Sequence, residues 1–206
     1  MQKELASLLK TKLADLPFID MLAGMVQTVT TEEQDEAGIA KIIKRFPVSY
    51  DTNIPVKDCF GGPERMLIPD SRRKSIIYFE DYGITQTEKK HTMFGYNSSL
   101  RLICWMNRAL LVGDMYTEIS GRCMAMIIEK LAGKNPENIG MFSQLRIDVA
   151  RIPPQDPALF NRYTYSEPDR QYLRPPFEFF GIDFSSRFFI NPKCLSETQW
   201  NQQTCY

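Results

Sequence analysis

The sequence predicts an α+β fold, a mostly antiparallel β-sheet or sandwich with two amphipathic helices packed on it and long Pro-rich loops. Three observations predict it. The stretch "FEFFGIDFSSRFFI" sorts with a period of two into an apolar and a polar face, which a helix would scatter. Two segments carry a helical apolar stripe, and between them the apolar residues alternate in strand fashion. The resulting order is helix, several strands, helix, strand, long arm, strand, which is the pattern of an α+β fold. At 206 residues the chain suits a single domain, 1–206, with long excursions.

The elements follow in order. Leu5, Leu8, Leu9, Leu13 and Leu16 recur at helical spacing until Pro17. "FIDMLAG" reads as a turn and "MVQTVTT" as a first strand. "IAKIIKRFPVSY" is β-rich, and Pro47 places its end at an edge or bulge because proline cannot donate to a ladder. Residues 51–72 hold Pro55, Gly61, Gly62, Pro63 and Pro69 and read as a long loop. "KSIIYFEDYG" and "ITQTEKKHTMFGYNSSLRLICWMN" supply further strands. In the latter, Leu100, Leu102, Cys104 and Met106 take one face and Ile103 and Trp105 a second, partly covered one. A second helix spans "DMYTEISGRCMAMIIEKLAG", with Asp114 as N-cap, Gly133 as terminator and a stripe of Tyr116, Ile119, Cys123, Met126, Ile127 and Leu131. Leu145, Ile147 and Val149 mark another strand. The last strand places Phe180, Ile182, Phe184, Phe188 and Ile190 on one face. Phe177 and Phe179 open the opposite face, where a second surface would cover them.

Formal charge sums to zero, but it is unevenly spread. Residues 1–37 hold three Lys/Arg against seven Asp/Glu, and residues 38–108 hold twelve against seven. "TEEQDE" at 31–36 is acidic, while "SRRK" at 71–74 and "EKKH" at 88–91 are basic. Such clusters are solvated turns or complementary patches on neighbouring copies of one protein. A dominant basic field, the footprint of a nucleic-acid binder, is missing. No apolar run approaches the ~20 residues of a membrane span, and the leucine-rich N-terminal stretch lacks the continuous apolar centre of a secretory signal. The chain is therefore expected to stay where it is made.

Chemistry-bearing motifs are sparse. Five cysteines at irregular spacing, with His91 the sole histidine, give no zinc pattern and are expected to be reduced and buried. Neither metal nor cofactor is expected. Nucleophilic triads would need His91, which sits in a polar hairpin. Asp70 with Glu88 and Lys90 imitates the PD-(D/E)xK nuclease spacing, in which two carboxylates hold Mg²⁺ and the lysine helps activate water. The flanks Thr85, Gln86, Thr87 and Thr92 are polar, where a functional strand would enter the core. Trp105 could serve a small cytoplasmic binding module as the wall of a pocket, although a strand tryptophan is usually core.

Residues 151–176 form an arm with six prolines, too many for a helix interior or a central strand. Phe160, Tyr163, Tyr165 and Tyr172 with Arg162, Arg170 and Arg174 have the composition of interface hot spots. The arm is expected to lie across an adjacent subunit, against the alternative that it folds back over its own domain.

The opening leucine helix with "FIDMLAGMVQTV", the central "YNSSLRLICWMNRALL" followed by a helix, and the closing "PPFEFFGIDFSSRFFINPKC" together resemble the head–tail connector and tail-completion (terminator-like) proteins of tailed bacteriophages, especially those of Bacteroidetes-type hosts. The resemblance covers most of the chain. It implies a non-catalytic virion protein, made in the host cytoplasm, that forms a homo-oligomeric ring of six or twelve copies in the neck or tail channel. Its partners would be portal, neck or tail proteins, with DNA only passing through and no membrane. The loop at 51–72 and the arm at 151–176 are longer than a minimal terminator would carry.

Overall fold

The computed structural model describes residues 1–34, 41–49, 65–67, 71–114, 116–133, 135–164 and 174–190. Helix α1, Gln2–Leu13, buries Leu5, Ala6, Leu9 and Leu13. It ends four residues before Pro17, in a turn closed by Leu16 N–H on the Leu13 carbonyl. Strand β1, Met21–Met25, takes up the last four residues of the segment expected to be a turn and the first of the expected strand. Strands β2 (Gln27–Gln34), β3 (Lys41–Ser49) and β4 (Arg65–Met66) form a three-stranded sheet in that order. β3 runs through Pro47, whose carbonyl accepts from Leu67 N–H and whose missing N–H is tolerated beside the two-residue β4.

β5, Ser75–Lys90, and β6, Met93–Asn107, make a long hairpin. Among the described residues there are three α-helices rather than two, because a short α2, Arg108–Val112, follows β6 directly. Helix α3 is Ser120–Leu131, then come β7 (Glu137–Ile139) and β8 (Phe142–Arg151). A 3-10 turn at Pro157–Phe160 and β9, Phe177–Ile190, complete the order. The larger sheet has the order β1-β5-β6-β9-β8-β7, antiparallel except for the β1/β5 pair. No helix among the described residues is long and apolar enough to cross a membrane.

β9 is one of the two central strands and divides the two cores as its alternation predicts. Phe180, Ile182, Phe184, Phe188 and Ile190 join Leu100, Leu102, Cys104 and Met106 of β6 under α1 and α3. Phe179, with Ile103, Trp105, Ile76 and Tyr78, faces the other way into a second core closed by Val26, Phe46, Val48 and Leu67. The Trp105 ring is 1% exposed and stacks on Phe177 at 5.2 Å, so it is a core side chain.

α3 starts later than the sequence suggests. Asp114 caps a turn of its own, accepting from the N–H groups of Tyr116 and Thr117, and Tyr116 stands in solvent. The helix N-terminus is satisfied from β9, where Glu178 Oε2 accepts from Ile119 and Ser120 N–H at 3.2 and 3.0 Å. Glu178 Oε1 also pairs with the mostly buried Arg108 at 3.1 Å. A carboxylate at a helix N-terminus suits the macrodipole. Glu178→Ala removes the cap and leaves a buried guanidinium uncompensated, an expected loss of about 2–4 kcal/mol in chemical denaturation. A change under about 0.5 kcal/mol, the range of an ordinary surface substitution, would contradict this role.

Cys104 and Cys123 are buried and reduced; the other three cysteines lie outside the described residues. Burial, then the nearby Glu178 charge, pushes the Cys123 thiol up to about 11. Burial also lifts Cys104 well above its ordinary value. An unfolded thiol ionises lower, so the native state holds its proton longer. Stability from this source is full below pH ~9 and declines as pH rises toward 11. Urea midpoints across that window should fall less steeply in Cys123→Ala than in the parent, and equal slopes would contradict the assignment.

Candidate functional site

The arm is the first place to look, and its described half folds back on its own sheet. Leu159, Phe160 and Tyr163 are buried in the second core. Phe160 meets Phe179 edge-on at 5.2 Å, and Tyr163 meets Tyr78 at 6.4 Å. Thr164 N–H then donates to the Arg45 carbonyl of β3. The rings of Phe160 and Tyr163 thus pack inside the domain. Arg162 is exposed but turned to its own Glu80 at 3.3 Å. Arg174 is exposed beside the start of β9. Tyr165, Arg170 and Tyr172 lie outside the described residues. A deletion of 154–172 would remove three core side chains, so it would test stability before it tested assembly.

The sheet surface under the arm explains why it docks there. Gly181 leaves a gap in β9, since a Cβ at this position would meet Leu159 Cδ2 and Pro153 Cγ at 3.0 Å each. Glu80 of β5 is 1% exposed. Its carboxylate accepts from the Tyr163 hydroxyl, from Arg162 Nη1 and from the Tyr82 hydroxyl at 3.3 Å. Arg101 grips Asp183 through two hydrogen bonds of 2.5 and 3.0 Å and donates to the Tyr82 hydroxyl at 2.7 Å. The guanidinium groups of Arg101 and Arg162 lie 4.6 and 5.1 Å from the centre of the Tyr82 ring. Burial, and then the Glu80 charge, raise the Tyr82 phenol above its ordinary value. The cluster latches the arm to the sheet.

The nuclease-like residues fall at the far tip of the β5/β6 hairpin. Glu88 is bound by Arg187, reaching it over Gly95, where a Cβ would lie 2.9 Å from Glu88 Cγ. Lys90 is exposed, as is His91, which forms the turn at φ 53°. Asp70 lies outside the described residues. Among the described residues, no group of three or more His, Cys, Asp or Glu side chains is placed to hold a metal ion. Of the charged clusters, Arg73 pairs with Asp20 at 3.5 Å, and the side chains of 31–36 are outside the description.

What the sequence could not place is the outline of the sheet. β1 covers β5 only as far as Phe79, so no described strand pairs with the outer edge of β5 from Glu80 to Lys90. β7 covers β8 only as far as Leu145, so the outer edge of β8 from Arg146 to Arg151 is likewise open among the described residues. The two open edges share the rows from Glu80 to Thr85. Glu80 pairs with Arg101, Arg101 with Asp183, and Asp183 with Arg151. Further along, Thr85 pairs with Asn97, Asn97 with Arg187, and Arg187 with Arg146. Among the described residues the sheet is thus four strands wide here, with no strand paired to either flank; on the β5 flank the Gly83 N–H donates to the Asp81 carboxylate. Three antiparallel steps separate β5 from β8, so the flanking strands run in opposite directions. With this geometry in hand, comparison with known proteins adds nothing: no protein family, no curated protein and no solved structure matches the chain.

Proposed function

We propose that this chain is a structural subunit that repeats side by side into a homo-oligomeric ring, and that the ring sits in the neck or tail channel of a tailed bacteriophage. One observation carries the reading: among the described residues, the open edges of β5 and β8 share the rows from Glu80 to Thr85 and have opposite polarity. A second copy placed beside the first by lateral repetition sets its β8 antiparallel against β5. The junction is heterologous, one surface meeting a different one, and a heterologous contact that closes makes a ring. Edge-to-edge addition supplies main-chain hydrogen bonds to both partners. Left open, such edges are a liability. The bulges in β5, at Asp81/Ile84 and Gln86/Glu88, twist its edge and restrict what can pair with it.

The station in a phage neck or tail rests on the resemblance of the opening, central and closing segments. Six or twelve copies, portal or tail proteins as neighbours and DNA passing through the lumen belong to the same reading. The test is the native mass of the purified chain with negative-stain images. A closed multiple of 23.9 kDa with an annular outline supports the ring. A monomer at the highest attainable concentration, or a dimer that grows no further, overturns it.

A further inference from the structure

A groove between α2 and α3 is lined by Phe18, Leu111, Val112, Ile119 and Met126, with Arg122 among them. At about 210 Å³ it falls below the ~300–1,000 Å³ of a small-molecule pocket and suits one or two side chains of a protein partner. Val112 and Leu110 are exposed beside it, and an exposed apolar patch rimmed by charge marks a protein contact. Arg122 is exposed and pairs with no carboxylate among the described residues of its own chain.

The loop that joins the two helices presents a knob. Tyr116 is 83% exposed, the most exposed of the large apolar side chains among the described residues. Its backbone is nevertheless tied down, the N–H donating to Asp114 Oδ1 at 3.0 Å and the carbonyl accepting from Arg108 Nη1 at 3.4 Å. A ring already held out in water loses less freedom on docking. Two residues on, Glu118 is also exposed and accepts from the Ser120 hydroxyl at 3.2 Å.

We infer that two copies of this chain pair across a two-fold axis at this patch, the Tyr116 ring of each seated in the groove of the other and Glu118 of each facing Arg122 of the other. Self-complementarity argues for a second copy as the occupant. An apolar groove with a spare cation takes an aromatic anchor beside a carboxylate, and the bordering loop offers both. Knob and socket on one patch make an isologous contact, in which each copy gives and receives the same side chains. The patch lies at the base of the sheet, since α2 follows Asn107, which pairs with Phe177 at the far end of β6 from the hairpin tip. It is separate from the open edges of β5 and β8, so the contact does not depend on the ring and would join two rings base to base.

Sedimentation of charge-reversed chains tests this. Arg122→Glu and Glu118→Arg each set like charges against one another at both contacts, so each variant alone should show half the mass of the parent assembly. In an equimolar mixture of the two, both contacts again join an acid to a base, and the parent mass should return. Gln155 still donates to the Ser120 hydroxyl in Glu118→Arg, which preserves the start of α3. Tyr116→Ala should also halve the mass. If the variants keep the parent mass, or if the mixture fails to regain it, the proposal is overturned. A parent that is only a dimer of 23.9 kDa chains and halves in the variants would sink the ring reading and leave this one standing. A single ring of equal mass in parent and variants would do the reverse, and a monomeric parent would sink both.

Discussion

Replacing Phe184 by alanine is expected to cost about 3–5 kcal/mol, the usual range for emptying a buried phenylalanine site. Phe184 is 1% exposed and lies between Leu100 of β6 and Val149 of β8, in the core under α1 and α3. It sits in the four-stranded part of the sheet, where loss of a ring leaves a cavity that flanking strands cannot close without breaking ladder hydrogen bonds. The guanidinium denaturation midpoint should fall sharply while the slope stays the same, since the two end states are unchanged. An unchanged midpoint would show that this face of β9 is not the core face.

The second large effect is expected at Glu80. Glu80→Ala leaves the buried Tyr163 hydroxyl without its acceptor and removes the ion-pair partner of Arg162. Arg162 is largely exposed and can be solvated, so the expected loss is about 1–3 kcal/mol, that of an orphaned buried polar group. The arm should loosen before the sheet does. Limited proteolysis should then cut within residues 152–164 while the β5–β6–β9 core survives. Gly181→Val, which pushes Leu159 and Pro153 away by filling the gap in β9, should reproduce the same cleavage pattern from the opposite side of the contact. If either variant is cut no faster than the parent, the latch does not hold the arm.

How much of this could be read from the sequence depends on the range of the interaction. The two faces of β9 and the split of Leu102 from Ile103 in β6 were legible, because alternation is local and burial follows it. The cap of α3 was not. Asp114 is the local candidate, but the carboxylate that does the capping, Glu178, comes from a strand 58 residues on from Ser120. Most of β1 was missed because four of its five residues, "MLAG", resemble a turn until β5 lies beside them. The arm turned inward for a reason the sequence did hint at. Gly181 interrupts an otherwise bulky strand, and a strand glycine often marks the close approach of another backbone. Glu80, the one charge in "SIIYFE", was a similar signal, since a carboxylate among core residues needs a partner. The open edges carry no residue signature at all. Among the described residues they exist because β1 and β7 are short, and only the pairing register shows which rows they share.

The measurement that bears most directly on the central claim is amide hydrogen exchange of the chain at low and at high concentration. If β5 adds to β8 of the next copy, amides within 82–90 and 146–151 should slow together as the oligomer forms. Unchanged exchange in both edges of an assembled species would contradict assembly through these strands.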